Sequence, residues 1–307
     1  MTNLNQLVTT IILMFLSGLS YSETGPLFIV GSTSASPLIE ASEKAFSRYI
    51  GEDDSVSASV VIRPVGSQKG LKSVIDNVAD VGIISRYLSR AELDNRPYLK
   101  QVTIAQDALV FLVNKQNKIT SLTAGQVKDI YTGSVTRWDD VSNKNNQQFV
   151  KLIQPLSKGI AHGTFHAFHS LFQLDYMLEP ETQDLYLKRK GENHLFSRRP
   201  TQTYSRFNQA MGIVNREPES IAYESNAVMQ QYKDHQGFKK IKVLKIDGVS
   251  VSEKSVRNET YPWVRPLNLI INTNTDNAKV DQFVKFMLTD VGKNIIRQQG
   301  YIPIQLP

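Results

Sequence analysis

The sequence predicts an α/β fold built around a mostly parallel sheet. Short apolar runs alternate with segments whose apolar residues recur every three or four positions, and this strand, loop, helix, strand order repeats along residues 26–86. The segment 106–114, QDALVFLVN, is mostly hydrophobic, as expected for a strand buried on both faces. Ligands of such sheets bind beyond the carboxyl ends of the strands, so the residues that follow each strand are the candidates for function.

Composition limits the chemistry that the chain can perform. Its 307 residues are enough for two domains, and the absence of cysteine excludes disulfides, thiol catalysis and thiolate metal sites. The net charge is +6, but basic and acidic residues are interleaved along most of the chain, which favours a mixed solvated surface and argues against nucleic-acid binding. The basic segment 188–206 is expected to be a surface helix and loop, with binding of a polyanion as the alternative.

The N-terminal segment has the features of a secretion signal. Residues 7–19 are apolar but too short to span a bilayer comfortably, and they end at Ser20-Tyr21-Ser22, a small-x-small pattern. We therefore expect residues 1–22 to be a cleavable signal peptide and the mature protein to be periplasmic. An uncleaved N-terminal anchor is the alternative, because the first residues lack a lysine.

The stretch 30–37, VGSTSASP, joins the first strand to the first helix. The first N–H groups of a helix have no internal partner, the helix dipole adds positive charge there, and the hydroxyls of Thr33 and Ser34 add donors. An ordinary N-capped helix is the alternative reading. However, Ser67 and Ser85-Arg86 also follow predicted strands, and this convergence favours an anion site.

A second glycine and hydroxyl turn follows a predicted strand at 149–153 and precedes a predicted helix at 165–172. It contains His162, Gly163 and Thr164. His166 and His169 would share a helix face with His162 just before it, but no carboxylate lies nearby to orient the rings, and a helix N-terminus disfavours a cation. We therefore expect no metal site, and we expect His162 to line a pocket.

Asp80 is a carboxylate beside this predicted anion site. Like charges repel, so a carboxylate there makes sense if the anion carries a proton that the carboxylate can accept in a hydrogen bond. Phosphate near neutral pH carries such a proton and sulfate does not, and a site built on a required hydrogen bond discriminates strongly. A structural Asp that caps a turn is the alternative reading.

Motifs for catalysis are few. The sequence has no G-x-S-x-G elbow and no P-loop, and nothing in its spacing pairs Ser, His and Asp into a triad. The sequence therefore favours a protein that is not an enzyme and that needs no cofactor.

A set of motifs in this order resembles the phosphate-binding proteins (PstS type) of bacterial phosphate ABC importers. The motifs are GSTSASPL at 31–38, GS at 66–67, ADVGIISR at 79–86, DALVFLVNK at 107–115, LTAGQVKDIYTG at 122–133, RWDDV at 137–141 and FVKFMLTDVGKNIIRQQGYIPI at 283–304. No single motif is specific, but together they cover essentially the whole mature chain.

The resemblance implies a two-lobed periplasmic binding fold (type II-like) with the ligand in the cleft. Two crossover strands near 108–114 and 265–271 would form the hinge. The first lobe would hold residues 25–107 plus 266–307, and the second lobe residues 108–265.

The resemblance also implies roles for single residues. Thr33 and Ser34 match the first phosphate-contacting turn, Ser67 matches the second serine, and Asp80 matches the carboxylate that reads the phosphate proton. Ser85 and Arg86 follow Asp80 in the same motif.

The second lobe departs from the family pattern, which has an arginine and then a Ser-Gly-Thr turn. Gln154 stands where that arginine is expected, and His162 replaces the serine before Gly163-Thr164. Losing the arginine removes a bidentate clamp of permanent charge. A protonated His162, or Arg137, Lys158 or Arg265, would have to replace it.

These features imply a monomeric solute-binding protein that captures inorganic phosphate and delivers it to a membrane ABC permease. Two alternatives remain open at this stage. One is an extracytoplasmic sensor or surface-interaction protein with the same fold and an altered anion cleft. The other is an enzyme such as a phosphatase.

Overall fold

The computed structural model describes residues 25–51, 60–142, 152–191, 193–275 and 277–305. The expected signal peptide, residues 1–22, lies outside the described residues. Among the residues that are described, no helix is long and apolar enough to cross a membrane.

Strands and helices alternate along the first half of the chain, as predicted. The described strands are β1 (Leu27–Gly31), β2 (Val60–Pro64), β3 (Val81–Ile84), β4 (Leu99–Asn114), β5 (Ser121–Leu122), β6 (Gln154–Lys158), β7 (Leu174–Leu178), β8 (Leu185–Arg189), β9 (Gln202–Tyr204), β10 (Ser220–Ser225), β11 (Ile241–Val243), β12 (Lys245–Ile246), β13 (Val264–Asn272) and β14 (Ile302–Pro303). The described α-helices are α1 (Ser36–Tyr49), α2 (Ser67–Ile75), α3 (Arg90–Asp94), α4 (Ala124–Tyr131), α5 (Trp138–Ser142), α6 (Gly163–Leu171), α7 (Phe207–Arg216), α8 (Asn226–Tyr232), α9 (Glu253–Arg257), α10 (Ala278–Leu288) and α11 (Asp290–Gln298).

The main sheet has the order β2-β1-β3-β13-β4-β10-β6-β9. β1 pairs in parallel with β2 and β3, and β6 pairs in parallel with β10 and β9, as the βαβ pattern predicts. β13 runs antiparallel to both β3 and β4, so the sheet is mixed at its centre. β13 brings the chain back from the second half of the sheet to the first, in the direction opposite to β3 and β4.

β4 passes through both halves of the molecule. Its first part, from Leu99 to Ala108, pairs with β13, and its last part, from Leu109 to Val113, pairs with β10. The strand begins seven residues before the predicted start at Gln106. The prediction missed these residues because most of them are only partly buried and form no continuous apolar run.

The hydrophobic residues pack into separate centres on either side of this crossing, which defines two lobes. The first lobe contains β1, β2, β3, α1, α2, α10 and α11, and it packs around side chains such as Phe46 and Phe283. The second lobe contains β6, β9, β10, α4, α6 and α7, and it packs around side chains such as Phe111, Phe168 and Tyr223.

Two glycines bring α2 directly against the strands of the first lobe. Gly31 has φ +151°, and a Cβ added there would lie 2.1 Å from the Ile83 carbonyl oxygen. A Cβ added at Gly70 would lie 2.7 Å from the Gly31 Cα. Because only glycine permits this approach, the N-terminus of α2 and its first residue, Ser67, lie at the carboxyl end of β1.

One expectation about the second lobe is wrong, and another can be compared only in part. The segment 188–206 contains the end of β8 and all of β9, and its described residues form no helix. Of the strand expected at 149–153, residues 152–153 are not in a strand and residues 149–151 lie outside the described residues; β6 runs from Gln154 to Lys158. Pro155 lies near the start of β6, where proline is tolerated.

Candidate anion-binding site

Serine hydroxyls from three separate turns meet at the carboxyl edge of the first lobe's sheet. The Oγ of Ser32 lies 3.0 Å from the Oγ of Ser34 and 2.9 Å from the Oγ of Ser85. The backbone N–H of Ser85 donates to the Oγ of Ser67 at 3.2 Å. These four residues follow β1, follow β3 or begin α2, and we call them the serine cluster.

Arg265 brings a permanent positive charge to the serine cluster. It lies on β13, and its side chain is only 4% exposed. Its Nε and Nη2 both donate to Oδ2 of Asp107 on β4, at 3.0 and 2.8 Å, and Nη2 also donates to the Oγ of Ser34 at 3.0 Å. Its Nη1 is buried and has no hydrogen-bond partner among the described residues.

An unpaired N–H on a buried guanidinium is costly, because the group has lost its hydration without gaining a partner. Asp107 does not supply that partner: it accepts from Nε and Nη2 of Arg265 through one oxygen, and its other oxygen accepts from the backbone N–H of Ala227 at 3.3 Å. The turn around Ser34 is held from the other side by the Tyr301 hydroxyl, which donates to the Ser34 carbonyl oxygen. The arrangement is therefore one acceptor short, and an anion would supply it.

The second lobe covers this site with the N-terminus of α6. A Cβ added at Gly163 would lie 3.0 Å from the Ser67 Oγ, 3.4 Å from the Ser85 Cβ and 3.6 Å from Nη1 of Arg265. The two lobes are thus nearly in contact at this point, and glycine leaves space that any larger residue would fill. Thr164, the next residue, is also buried.

Three helices begin around the serine cluster: α1 at Ser36, α2 at Ser67 and α6 at Gly163. The Oγ of Ser36 is itself buried without a partner among the described residues. Helix N-termini offer unpaired N–H groups and partial positive charge, and the hydroxyls can donate further hydrogen bonds. Donors from several directions around one cation suit a small tetrahedral oxyanion.

Asp80 does not belong to the serine cluster, so its expected role in reading a proton is wrong. It precedes β3, whereas Ser85 follows β3, and the four residues of this extended strand place the two about 16 Å apart. Its Oδ2 accepts from the backbone N–H of Phe28 at 2.7 Å. Asp80 is therefore a structural cap that fixes β3 to β1, which was the alternative reading.

Arg86 and Thr33 are less closely associated with the cluster than expected. The guanidinium of Arg86 forms two hydrogen bonds of 2.8 Å to the Glu92 carboxylate, and this pairing lowers the pKa of Glu92 to about 2. The Thr33 side chain is exposed, and among the described residues no hydrogen bond joins it to the serine cluster.

β6 carries both Gln154, which stands where the family's arginine is expected, and Lys158, one of its candidate substitutes. Gln154 is the first residue of β6, and its side-chain amide donates to the Gln202 side chain at 2.8 Å. Gln154 therefore does not serve as an anion clamp in place of the arginine. Lys158 ends β6, and its Nζ lies 2.7 Å from Oε2 of the buried Glu224. The charge of Lys158 is therefore balanced locally.

His162 is the residue immediately before α6, at its N-cap. Burial, and then the positive charge of Lys158, lowers the pKa of His162 below its ordinary value. The imidazole is therefore neutral near pH 7 and does not replace an arginine. Among the described residues no group of three His, Cys, Asp or Glu side chains is arranged to hold a metal ion.

Sequence reasoning missed Ser32 and named Arg265 only as one of several substitute cations. Ser32 is the first residue of the same Ser-Thr-Ser turn, and its burial is set by the contact with Ser85, 53 residues away. Arg265 left a signal in the sequence: it is the one charged residue in the run 263–271, WVRPLNLII, whose other residues are apolar apart from Asn268. A charge in such a strand is buried and needs a partner.

Two lobes joined by crossing strands, with helix N-termini from both lobes facing one another, are typical of two-lobed α/β ligand-binding proteins. A family profile described as a PBP superfamily domain matches residues 20–291. The chain belongs to the PBP superfamily.

Curated relatives agree with this placement. Phosphate-binding protein PstS 2 of Streptococcus agalactiae is 37% identical over 119 residues, which are 39% of this chain and 38% of that relative. The match thus spans well under half the length of that relative. Phosphate-binding protein PstS of Staphylococcus aureus is 25% identical over 279 residues, covering 89% of this chain and 76% of the relative.

Solved structures share the fold. An ABC-type phosphate transport receptor from Vibrio cholerae has a TM-score of 0.69 at 22% identity, covering 92% of this chain and all of the other. A Clostridium perfringens protein, assigned as a phosphate ABC transporter substrate-binding protein and crystallised with bound phosphate, has a TM-score of 0.69 at 25% identity and the same coverage. These matches confirm the two-lobed α/β fold and the resemblance to phosphate-binding proteins.

Proposed function

We propose that this protein is the receptor of a phosphate importer. It binds inorganic phosphate between its lobes and delivers the anion to a membrane ABC permease. The observation that carries the proposal is the buried, unpaired Nη1 of Arg265. The same guanidinium donates to Ser34, and Nη1 faces Gly163 of the other lobe, where Ser67 and Ser85 also approach. The relatives named as phosphate-binding proteins and phosphate transport receptors support the choice of phosphate.

The binding energy comes from donors and not from covalent chemistry. Arg265 contributes a charge-assisted hydrogen bond, the serines contribute hydroxyl donors, and the helix N-termini contribute backbone N–H groups. No catalytic step and no cofactor are required. Because α6 supplies its share from the second lobe, the anion favours the closed arrangement of the lobes by a hinge-type population shift.

The proposal includes the architecture expected from the resemblance. One lobe would hold residues 25–107 plus 266–307, and the other residues 108–265; in support, most side chains of the two hydrophobic centres divide in this way. The receptor acts as a monomer in the periplasm after removal of residues 1–22. The absence of a membrane-spanning helix among the described residues is compatible with that location.

Calorimetric titration with inorganic phosphate tests the proposal. The wild-type protein should bind with one site, and Gly163→Ala should weaken binding by about tenfold or more, since its methyl group fills the space beside Ser67 and Arg265. Ser67 cannot move freely because it accepts the N–H of Ser85.

Gly159→Ala is the matched control. It lies in the same turn, where an added Cβ meets only the His162 ring at 3.8 Å, so phosphate affinity should stay within about threefold of the wild type. A wild-type protein that shows no saturable phosphate binding would rule out the proposed function. Equal affinity of Gly163→Ala and the wild type would rule out the assigned site.

A further inference from the structure

An open groove adjoins the serine cluster at the mouth of the cleft. Its volume is about 700 Å³, and both Ser85 and Arg265 contribute to its lining. Further along, its walls come from both lobes and include Tyr87, Leu171 and Pro266. The anion site is therefore not sealed on this side but continues into a space large enough for an organic group.

The cluster also lacks the acceptor that would demand a protonated anion. Asp80 lies at the other end of β3, and Asp107 is paired with Arg265 and also accepts from the N–H of Ala227. At the groove, both oxygens of Glu92 accept from Arg86. Among the described residues, Asp107 at the cluster and Glu92 at the groove are each paired with an arginine, so neither presents the unpaired carboxylate on which a requirement for a P–OH proton would rest.

A carboxylate acceptor of this kind determines which phosphate anions a site can bind. Hydrogen phosphate carries a P–OH proton, whereas the dianion of a phosphate monoester carries an ester oxygen in its place. A free carboxylate in the site would repel that dianion. Serine hydroxyls accept as well as donate hydrogen bonds, so the serine cluster suits either anion.

We infer that this site also takes phosphate monoesters, with the phosphoryl group in the serine cluster and an aromatic or apolar substituent in the groove. The inference rests on the proposed phosphate site and extends it. The substituent would lie against Tyr87, Leu171 and Pro266, while Arg86 brings little net charge because Glu92 neutralises it.

Phenyl phosphate is the probe, titrated calorimetrically alone and in competition with inorganic phosphate. Ser170→Trp tests the groove, because Ser170 is exposed at its wall and the indole would occupy the space. Ser250→Trp is the matched control, since Ser250 is an exposed serine that does not line the groove.

We expect the wild type to bind both ligands in competition. Ser170→Trp should weaken phenyl phosphate by about tenfold or more and leave inorganic phosphate within about threefold, and Ser250→Trp should change neither. If inorganic phosphate binds but phenyl phosphate does not displace it, or if Ser170→Trp leaves phenyl phosphate unaffected, the inference is overturned while the proposed function stands. If neither ligand binds, both fail.

Discussion

Arg265→Lys isolates the contribution of the buried guanidinium to anion binding. In the wild type, Nε and Nη2 hold Asp107, Nη2 also reaches Ser34, and Nη1 is left for the ligand. A lysine keeps the charge that Asp107 needs, so the variant avoids leaving a carboxylate buried and unpaired. Its single ammonium group cannot span Asp107 and the anion as the planar fork does.

The expected loss is one hydrogen bond between charged groups, worth roughly 1.5–3 kcal/mol. That corresponds to a Kd for phosphate about 10-fold to 150-fold weaker at 25 °C. Isothermal titration calorimetry with inorganic phosphate measures it, and thermal unfolding without ligand checks that the variant is folded.

Arg189→Lys is the control, because Arg189 also pairs with a carboxylate, that of Asp129 at 2.6 Å, but it does not line the groove or contact the serine cluster. It should leave the phosphate Kd unchanged. A folded Arg265→Lys protein with wild-type affinity would refute the assignment of Nη1 to the ligand.

Two further outcomes follow from the structure. Asp80→Asn should lower the free energy of unfolding by about 0.5–1.5 kcal/mol in denaturant titrations, because the charged acceptor of the Phe28 N–H is lost, while the ratio of phosphate to sulfate affinity stays the same; a changed ratio would return Asp80 to the site. Burial lowers the pKa of His162, His166 and His169 below 6.5, so the folded state binds fewer protons than the unfolded state and stability should fall as pH drops below 6.5. A denaturant midpoint that stays constant between about pH 5 and pH 7 would contradict this.

The parts of the site that local sequence could predict are those at the ends of strands and the starts of helices. Ser34, Ser67, Ser85 and Gly163 each occupy such a junction, and the fold brings all four together. The periodicity that marks a strand also marks its carboxyl end, and parallel strands bring those ends to one edge.

Asp80 shows the limit of the same reasoning. It is only five residues from Ser85, so the two appear as one motif, but a strand separates its two ends in space. Arg265 shows another limit, since its contact with Ser34 joins residues 231 positions apart. That contact depends on the antiparallel register of β13 and β4, which no local pattern specifies.

Arg265 and Asp107 form their ion pair on β13 and β4, the two strands that cross between the lobes. In the proposed hinge motion these strands form the pivot, so the positive charge should keep its place beside Ser34 as the lobes move. An anion arriving at an open cleft would then meet this charge and the first lobe's serines before the second lobe closes over it. On this proposal binding and enclosure are separate events, and the contacts of α6 set how slowly the ligand dissociates.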